Sequence, residues 1–258
     1  MPKGSILKDL DRRLLLDWKK RVQIIEGLTQ GLLYLQEYSR LTILHRDLKA
    51  SNILLDNEMK PKISDLGMAR IFEKDRETNT GRIVGTYGYL PPECVKDGAY
   101  SMKSDVYSFG VLLLQIISGK KNTLYGSNKN IILLEYAYEL LKDGKGMEFM
   151  DPSLDDAFSS CKLMTCMQVA LLCVQEKPTD RPSMLEVSSM LKNETAAIAM
   201  PKRPAFSRKR DEDEGNNSTL EHALTVTITM VVRAIGAYFQ LHHLRRHVKD
   251  ALAVEFLV

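Results

Sequence analysis

The chain has 258 residues, with 36 basic and 33 acidic side chains, 44% hydrophobic and 27% charged residues, 15 glycines and 9 prolines. That apolar share excludes a disordered or fibrous chain, and the length suffices for a buried core in one large domain or two small ones. Residues 201–258 carry 9 basic and 7 acidic groups of a net +3, so neither part has the basic excess of a nucleic-acid binder.

From Asp17, a candidate N-cap, Trp18, Val22, Ile25, Leu28, Leu32 and Leu35 recur at steps of three and four. This spacing predicts a long helix ending near Tyr38–Arg40. The segment Leu41–Leu44 leads into the polar run His45-Arg46-Asp47-Leu48-Lys49-Ala50-Ser51-Asn52. Ile53-Leu54-Leu55 and Lys60-Pro61-Lys62-Ile63-Ser64, around an Asp56-Asn57 turn, predict a β-hairpin that ends at Asp65-Leu66-Gly67. Residues 72–92 are polar with Gly81, Gly85, Gly88 and Pro91-Pro92, the composition of a long ordered or switchable loop. Asp105 to Ser118 is apolar nearly all round and Gly119 is placed to stop it, which predicts a helix at the centre of a domain. Amphipathic helices are expected around 131–142, 161–175 and 183–192. Strands are expected only in the first third, giving a mainly α lobe with a small hairpin.

After Met200 the composition shifts. Pro201 to Glu214 is charge-dense and aperiodic, so a linker is expected over 201–220 and a separate tail over 221–258. In the tail, Leu224–Val231 alternates like a strand and 234–258 has helical character. His243 and His247 lie four apart without an HExxH-like pattern, which favours a solvated basic face over a metal site. Ala223 to Leu241 is the membrane candidate, but Arg233 interrupts it at about 2.5–3.5 kcal/mol on insertion scales, so membrane contact through the tail is not expected. Cys94, Cys161, Cys166 and Cys173 have neither CxxC spacing nor a neighbouring His, and are expected as buried thiols in a reducing compartment. With no signal-peptide run at Met1, the chain as it stands is expected to be cytoplasmic.

The run from His45 to Asn52, followed by Asp65-Leu66-Gly67 and Pro91-Pro92-Glu93, resembles the catalytic loop, magnesium motif and APE motif of a eukaryotic protein kinase. The resemblance implies a protein-kinase-like fold, C-terminal lobe only, with ATP and Mg²⁺ as cofactors. Phosphoryl transfer asks for positioning and charge neutralisation more than covalent help. Asp47 would accept the proton of the substrate hydroxyl, and Lys49 would place a positive charge beside the transferring phosphate. Asn52 and Asp65 offer hard oxygen ligands to Mg²⁺. Asp105, in Ser104-Asp105-Val106-Tyr107-Ser108-Phe109-Gly110, would hold the catalytic-loop backbone, and Arg181 in Asp180-Arg181-Pro182 would pair with Glu93.

Between Asp65 and Glu93 the resemblance places an activation loop. Arg46 and Arg70 would receive a phosphate carried by Thr78 or Thr80, although those threonines are equally well plain loop residues. Thr86 would dock the residue after the substrate hydroxyl; with Lys49 it fits serine/threonine specificity. His45–Leu55, Lys62–Phe72, Gly85–Glu93, Val169–Gln175 and Asp180–Met184 are similar in wording to plant receptor-like kinases, above all the G-type lectin S-domain group.

Three elements of the family pattern are not found: a Gly-rich loop, a strand lysine in a VAIK-like setting and its helix glutamate. Met1–Leu10 already resembles the end of the hinge between lobes, so the N-lobe is expected to be missing. Leu66, Gln115 and Cys94 stand where the family usually has Phe, Glu and Tyr. The expected function is ATP-dependent phosphorylation of protein serine and threonine hydroxyls. The rival is a catalytically inactive kinase-like binding module that competes for the partners of a full-length receptor kinase. A third reading makes the tail an anchor. Expected partners are protein substrates and a full-length receptor kinase, with no nucleic acid.

Overall fold

Helix α1 (Trp18–Leu33) begins where the Asp17 carboxylate accepts the Lys20 backbone N–H at 2.8 Å, an N-cap that satisfies a donor the helix leaves unpaired. The chain is described by a computed structural model over residues 4–5, 16–72, 78–79, 82–120, 124–125, 131–154, 160–193 and 198–207. It divides into two units, Met1–Ser207 and Arg208–Val258. The second lies outside the described residues, and with it the expected tail strand and helix, the His243–His247 pair and the membrane candidate. Among the described residues no helix is long and apolar enough to cross a membrane.

The predicted periodicity of α1 buries Ile24, Ile25, Leu28 and Leu32, and the helix widens into a π-turn over Tyr34–Tyr38 before stopping at Ser39. Strand β1 (Gly4–Ser5) precedes it in the chain and β2 (Ile43–Leu44) follows it. The hairpin consists of β3 (Ile53–Leu55) and β4 (Pro61–Ile63), antiparallel with Ile53 opposite Ile63, and β1 adds to its other side in the order β1-β3-β4. Its turn is closed by Asp56, whose Oδ1 accepts the backbone N–H groups of Glu58 and Lys60, each at 2.9 Å. Helix α1 packs on β4, which brings the hairpin against the main core.

Strand β5 (Arg70–Ile71) pairs with β2, and β6 (Thr78–Asn79) pairs with β7 (Ala99–Tyr100), which follows the short helix α2 (Pro92–Asp97). Helix α3 (Met102–Ser118) starts three residues before the predicted Asp105, because Ser101 and Ser104 form a capping box ahead of the apolar run. It is buried almost throughout and packs most closely against α5 (Ser160–Cys173), with α4 (Leu133–Lys142) alongside. Helix α6 (Met184–Lys192), capped by Ser183 and Glu186, packs on α1. Gly119 ends α3 at φ 62; an added Cβ there would lie 2.2 Å from Asp151 Oδ2, so the position excludes a side chain twice over.

Three expectations change. Strands are not confined to the first third, since β7, β8 (Leu124–Tyr125) and β9 (Ile131–Ile132) lie beyond it. These are two-residue pairings, too short to show a period-two pattern. Cys94, Cys166 and Cys173 are buried but Cys161, in the first turn of α5, is exposed. The expected linker does not begin at 201: the Ala205 N–H donates to the Val174 carbonyl at 3.1 Å, Ala205 is buried, and Gln175 Nε2 donates to the Lys202 carbonyl at 2.9 Å. Residues 201–207 therefore close over the end of α5, because the Val174 carbonyl and the Gln175 side-chain amide supply partners to a segment without periodicity of its own.

Candidate active site

Asp105, buried in the first turn of α3, anchors the site. Its carboxylate accepts the backbone N–H of His45 at 2.7 Å and of Arg46 at 2.9 Å. Burial pushes this carboxyl up, while the two N–H donors and the nearby His45 and Arg46 pull it back down. The bonds hold Arg46 in a left-handed conformation, φ 65, which a non-glycine residue adopts at a cost of about 1–2 kcal/mol. That bend projects the next residues of the loop toward the hairpin end. His45 links the two: its Nδ1 accepts the Asp47 N–H at 3.3 Å, which leaves the proton on Nε2 to be donated to the Ser64 carbonyl at 3.0 Å.

Asp47, only 5% exposed, is held from three sides. Lys49 Nζ lies 2.8 Å from its Oδ2 and also donates to Thr86 Oγ1 at 2.8 Å. The Thr86 hydroxyl in turn donates to Asp47 Oδ1 at 2.5 Å. Asn52 Nδ2 donates to the Asp47 carbonyl at 2.9 Å and to Oδ2 at 3.3 Å. The structure thus brings Asp47, Lys49, Asn52 and Thr86 into one cluster across 39 positions of sequence.

Asp65 is placed beside this cluster by its neighbour: Ser64 donates both its N–H and its hydroxyl to the Asn52 carbonyl, each at 2.8 Å. Asp65 itself is left-handed, φ 64, and exposed, and among the described residues its carboxylate has no hydrogen-bond or ion-pair partner. Asn52 directs its Nδ2 at Asp47, which among the described residues leaves Oδ1 with only a long 3.5 Å contact from Ser51 Oγ. An amide oxygen and a carboxylate, both under-used, suit the oxygen-ligand preference of Mg²⁺. Among the described residues no group of three or more His, Cys, Asp or Glu converges, so two protein oxygens would leave further ligand positions to phosphates and water.

Arg46 turns its side chain away from Asp47. Its Nε donates to the Met68 carbonyl at 2.7 Å and its guanidinium sits 5.3 Å from the Tyr100 ring centroid. Burial, and behind it the charge of Arg70, holds its pKa below the ordinary arginine value. Arg70 is exposed on β5 and donates to the Ala69 carbonyl at 2.9 Å. The backbone of Thr78 pairs with Tyr100 in β6–β7, whereas its side chain and all of Thr80 lie outside the described residues.

The protein kinase domain matches residues 1–192 of the chain. The chain belongs to the protein kinase family. It is 52% identical over 221 residues to receptor-like serine/threonine-protein kinase SD1-7 of Arabidopsis thaliana, covering 83% of this chain and 26% of that protein. To the G-type lectin S-receptor-like serine/threonine-protein kinase B120 of the same plant it is 49% identical over 225 residues, 86% of this chain and 26% of the relative. Cysteine-rich receptor-like protein kinase 21, also from Arabidopsis thaliana, is 50% identical over 212 residues, 80% and 30% of the two chains. The similarity is therefore shared almost evenly between the S-domain and cysteine-rich groups. The chain spans about a quarter of the length of these relatives.

In this kinase lobe Glu93 and Arg181 meet face to face. Arg181 Nη1 and Nη2 donate to the two Glu93 oxygens at 2.6 and 2.9 Å, and its other N–H groups reach the carbonyls of Gln175, Glu176 and Lys103. All five guanidinium donors are used. Sequence reasoning missed a second buried pair. Arg21, fully buried on α1, donates from Nη2 to Asp151 Oδ2 at 2.7 Å, from Nε to the Leu16 carbonyl and from Nη1 to the Ile116 carbonyl. A signal for it exists: Arg21 precedes Ile24, Ile25 and Leu28 by three, four and seven positions, which puts a charge on the buried stripe. Also missed was the bond from the Tyr89 hydroxyl to Gln115 Oε1 at 2.8 Å; glutamine serves there as an uncharged acceptor.

Proposed function

We propose that this chain carries the phosphoryl-transfer residues of a serine/threonine protein kinase. The observation that carries the reading is the hydrogen bond from the Thr86 hydroxyl to Asp47 Oδ1, with Lys49 bridging both groups. It places an aliphatic hydroxyl where a substrate serine or threonine would present its own, on a carboxylate oriented to accept the proton. Lys49 Nζ is positioned to stay beside the oxygen that attacks. Asn52 and Asp65 are the residues that would hold Mg²⁺, which would supply positive charge to offset the negative charge of the ATP phosphates. Asp105, Glu93 and Arg181 act as supports for this loop and for the helix that follows it, and Arg46 with Arg70 would receive a phosphate on Thr78 or Thr80. Residues 1–207 form the kinase part, and the reaction takes place on the cytoplasmic side of a receptor system whose protein substrates it modifies.

These 258 residues contain neither a Gly-rich phosphate loop nor a strand lysine in a VAIK-like setting, and those groups would hold the α- and β-phosphates of the nucleotide. The test is transfer of labelled γ-phosphate from Mg-ATP to a general serine/threonine protein substrate by the purified chain. Asp47→Asn should lower the rate at least about 100-fold, with thermal unfolding unchanged. Transfer that survives Asp47→Asn, or none from the unmodified chain, overturns the reading; the latter leaves a kinase-like binding module.

A further inference from the structure

Three consecutive residues leading into the candidate site each lie close against a different neighbour. The Val84 backbone N–H donates to the Tyr100 hydroxyl at 2.5 Å, and the same hydroxyl donates to the Val84 carbonyl at 2.7 Å. Gly85 adopts φ +125 and runs so close to the catalytic loop that an added Cβ would lie 2.8 Å from the Arg46 carbonyl oxygen and 2.7 Å from Leu90 Cδ2. Thr86 completes the series through Asp47 and Lys49.

Tyr100 stands where these contacts converge. It is 1% exposed and belongs to a small core with Leu44, Phe72 and Cys94, separate from the main one, against which Val84 and Leu90 are half-buried. One face of its ring carries the Arg46 guanidinium. A phenol is suited to this position for three reasons. Its ring fills the small core, its π face receives the cation, and its hydroxyl is the one part that can both donate and accept at a single residue of a neighbouring loop. Burial pushes the phenol up and the Val84 N–H only partly offsets this, so the proton needed for donation to the Val84 carbonyl is retained at neutral pH.

We propose that Tyr100 is a positioning residue that docks residues 84–86 onto the catalytic loop and holds Thr86 on Asp47. It acts through Val84 and Arg46 and touches no reacting atom. Removing the hydroxyl frees Val84, lets Gly85 lift from Arg46, and so loosens the surface on which an acceptor peptide is held, while Asp47 and Lys49 stay in place. The kinetic side of this inference rests on the phosphoryl-transfer reading of Asp47; the structural side does not.

The test is Tyr100→Phe in the full chain, which keeps the ring, the small core and the cation–π contact. Amide hydrogen exchange should speed up at Val84 by about tenfold or more, with the amides of Val111 and Leu112 in α3 unchanged. Unchanged exchange at Val84, or equal acceleration in α3, overturns the proposal. A second measurement needs no variant and decides the case if Tyr100→Phe does not fold: in the unmodified chain the Val84 amide should exchange about 100-fold more slowly than an unstructured reference, and reference-like exchange overturns the proposal. Where the chain transfers phosphate, Tyr100→Phe should raise KM for an acceptor peptide about tenfold at nearly constant kcat. A fall in kcat at constant KM would count against positioning. If the unmodified chain transfers none, the transfer reading fails and the exchange result at Val84 still stands or falls by itself.

Discussion

Replacing Arg181 with alanine is expected to cost the folded chain about 3–5 kcal/mol, measured by urea unfolding. Glu93 would lose both of its bonds to the guanidinium, at 2.6 and 2.9 Å, and among the described residues keep only a long 3.4 Å contact from Ser104 Oγ. The carbonyls of Gln175, Glu176 and Lys103 would lose their donor from Arg181 at the same time, and the ring of Tyr107 would lose the cation 5.1 Å above its centroid. Lysine keeps the charge but offers three donors from one point, which cannot serve a carboxylate edge and three carbonyls in a fork. Arg181→Lys should therefore still cost more than about 1.5 kcal/mol. A lysine variant as stable as the parent would show that charge alone, rather than the planar fork, holds α2 to α3 and to the turn before α6.

Arg21→Met should cost a similar amount, about 3–5 kcal/mol at pH 7, because it strands Asp151 as a buried carboxylate. Both side chains of the pair have zero exposure. In the parent, burial opposes the charge on Asp151, but hydrogen bonds from Arg21 and from Ser153 hold its carboxyl below the ordinary value. A depressed carboxyl contributes stability above its unfolded value of about 4, and that contribution is lost as pH falls through the folded value. Without Arg21, the largest opposition to burial is removed and the carboxyl is expected to rise instead. The variant should then become more stable relative to the parent as pH falls from about 7 to 5, since the folded form takes up the proton more readily. Urea unfolding at the two pH values measures this, and a deficit that does not change with pH would mean that Asp151 stays ionised without its partner. Arg21→Met with Asp151→Leu should recover most of the loss, as apolar replacement of a whole buried pair often does.

Much of this kinase lobe is legible without coordinates wherever the information is local. The Asp17 cap, the stripe of α1, the Asp56 turn and the Gly119 stop each involve residues within a few positions of one another, where side-chain period and turn chemistry govern the backbone directly. The order of His45–Asn52, Asp65–Gly67 and Glu93 likewise points to the family before any contact is seen. The two-residue pairs β6–β7 and β8–β9 are not legible, because two residues show no alternation and their partners are chosen by the surrounding core. The docking of residues 201–207 is hidden for a similar reason: a charged, aperiodic run is held by the Val174 carbonyl and the Gln175 side-chain amide just past α5, not by its own pattern.

By itself the sequence determined the family and the longer helices, since these follow from residue type and short-range spacing. Only the tertiary structure decided which groups touch. Asp105 meets the N–H groups of His45 and Arg46 from about 60 positions away, Arg21 finds Asp151 at a separation of 130, and Tyr100 fastens Val84 at 16. Each of these contacts needs two chain segments to arrive at hydrogen-bond distance, and that arrival is set by packing in the main and the small core rather than by any pattern within one segment.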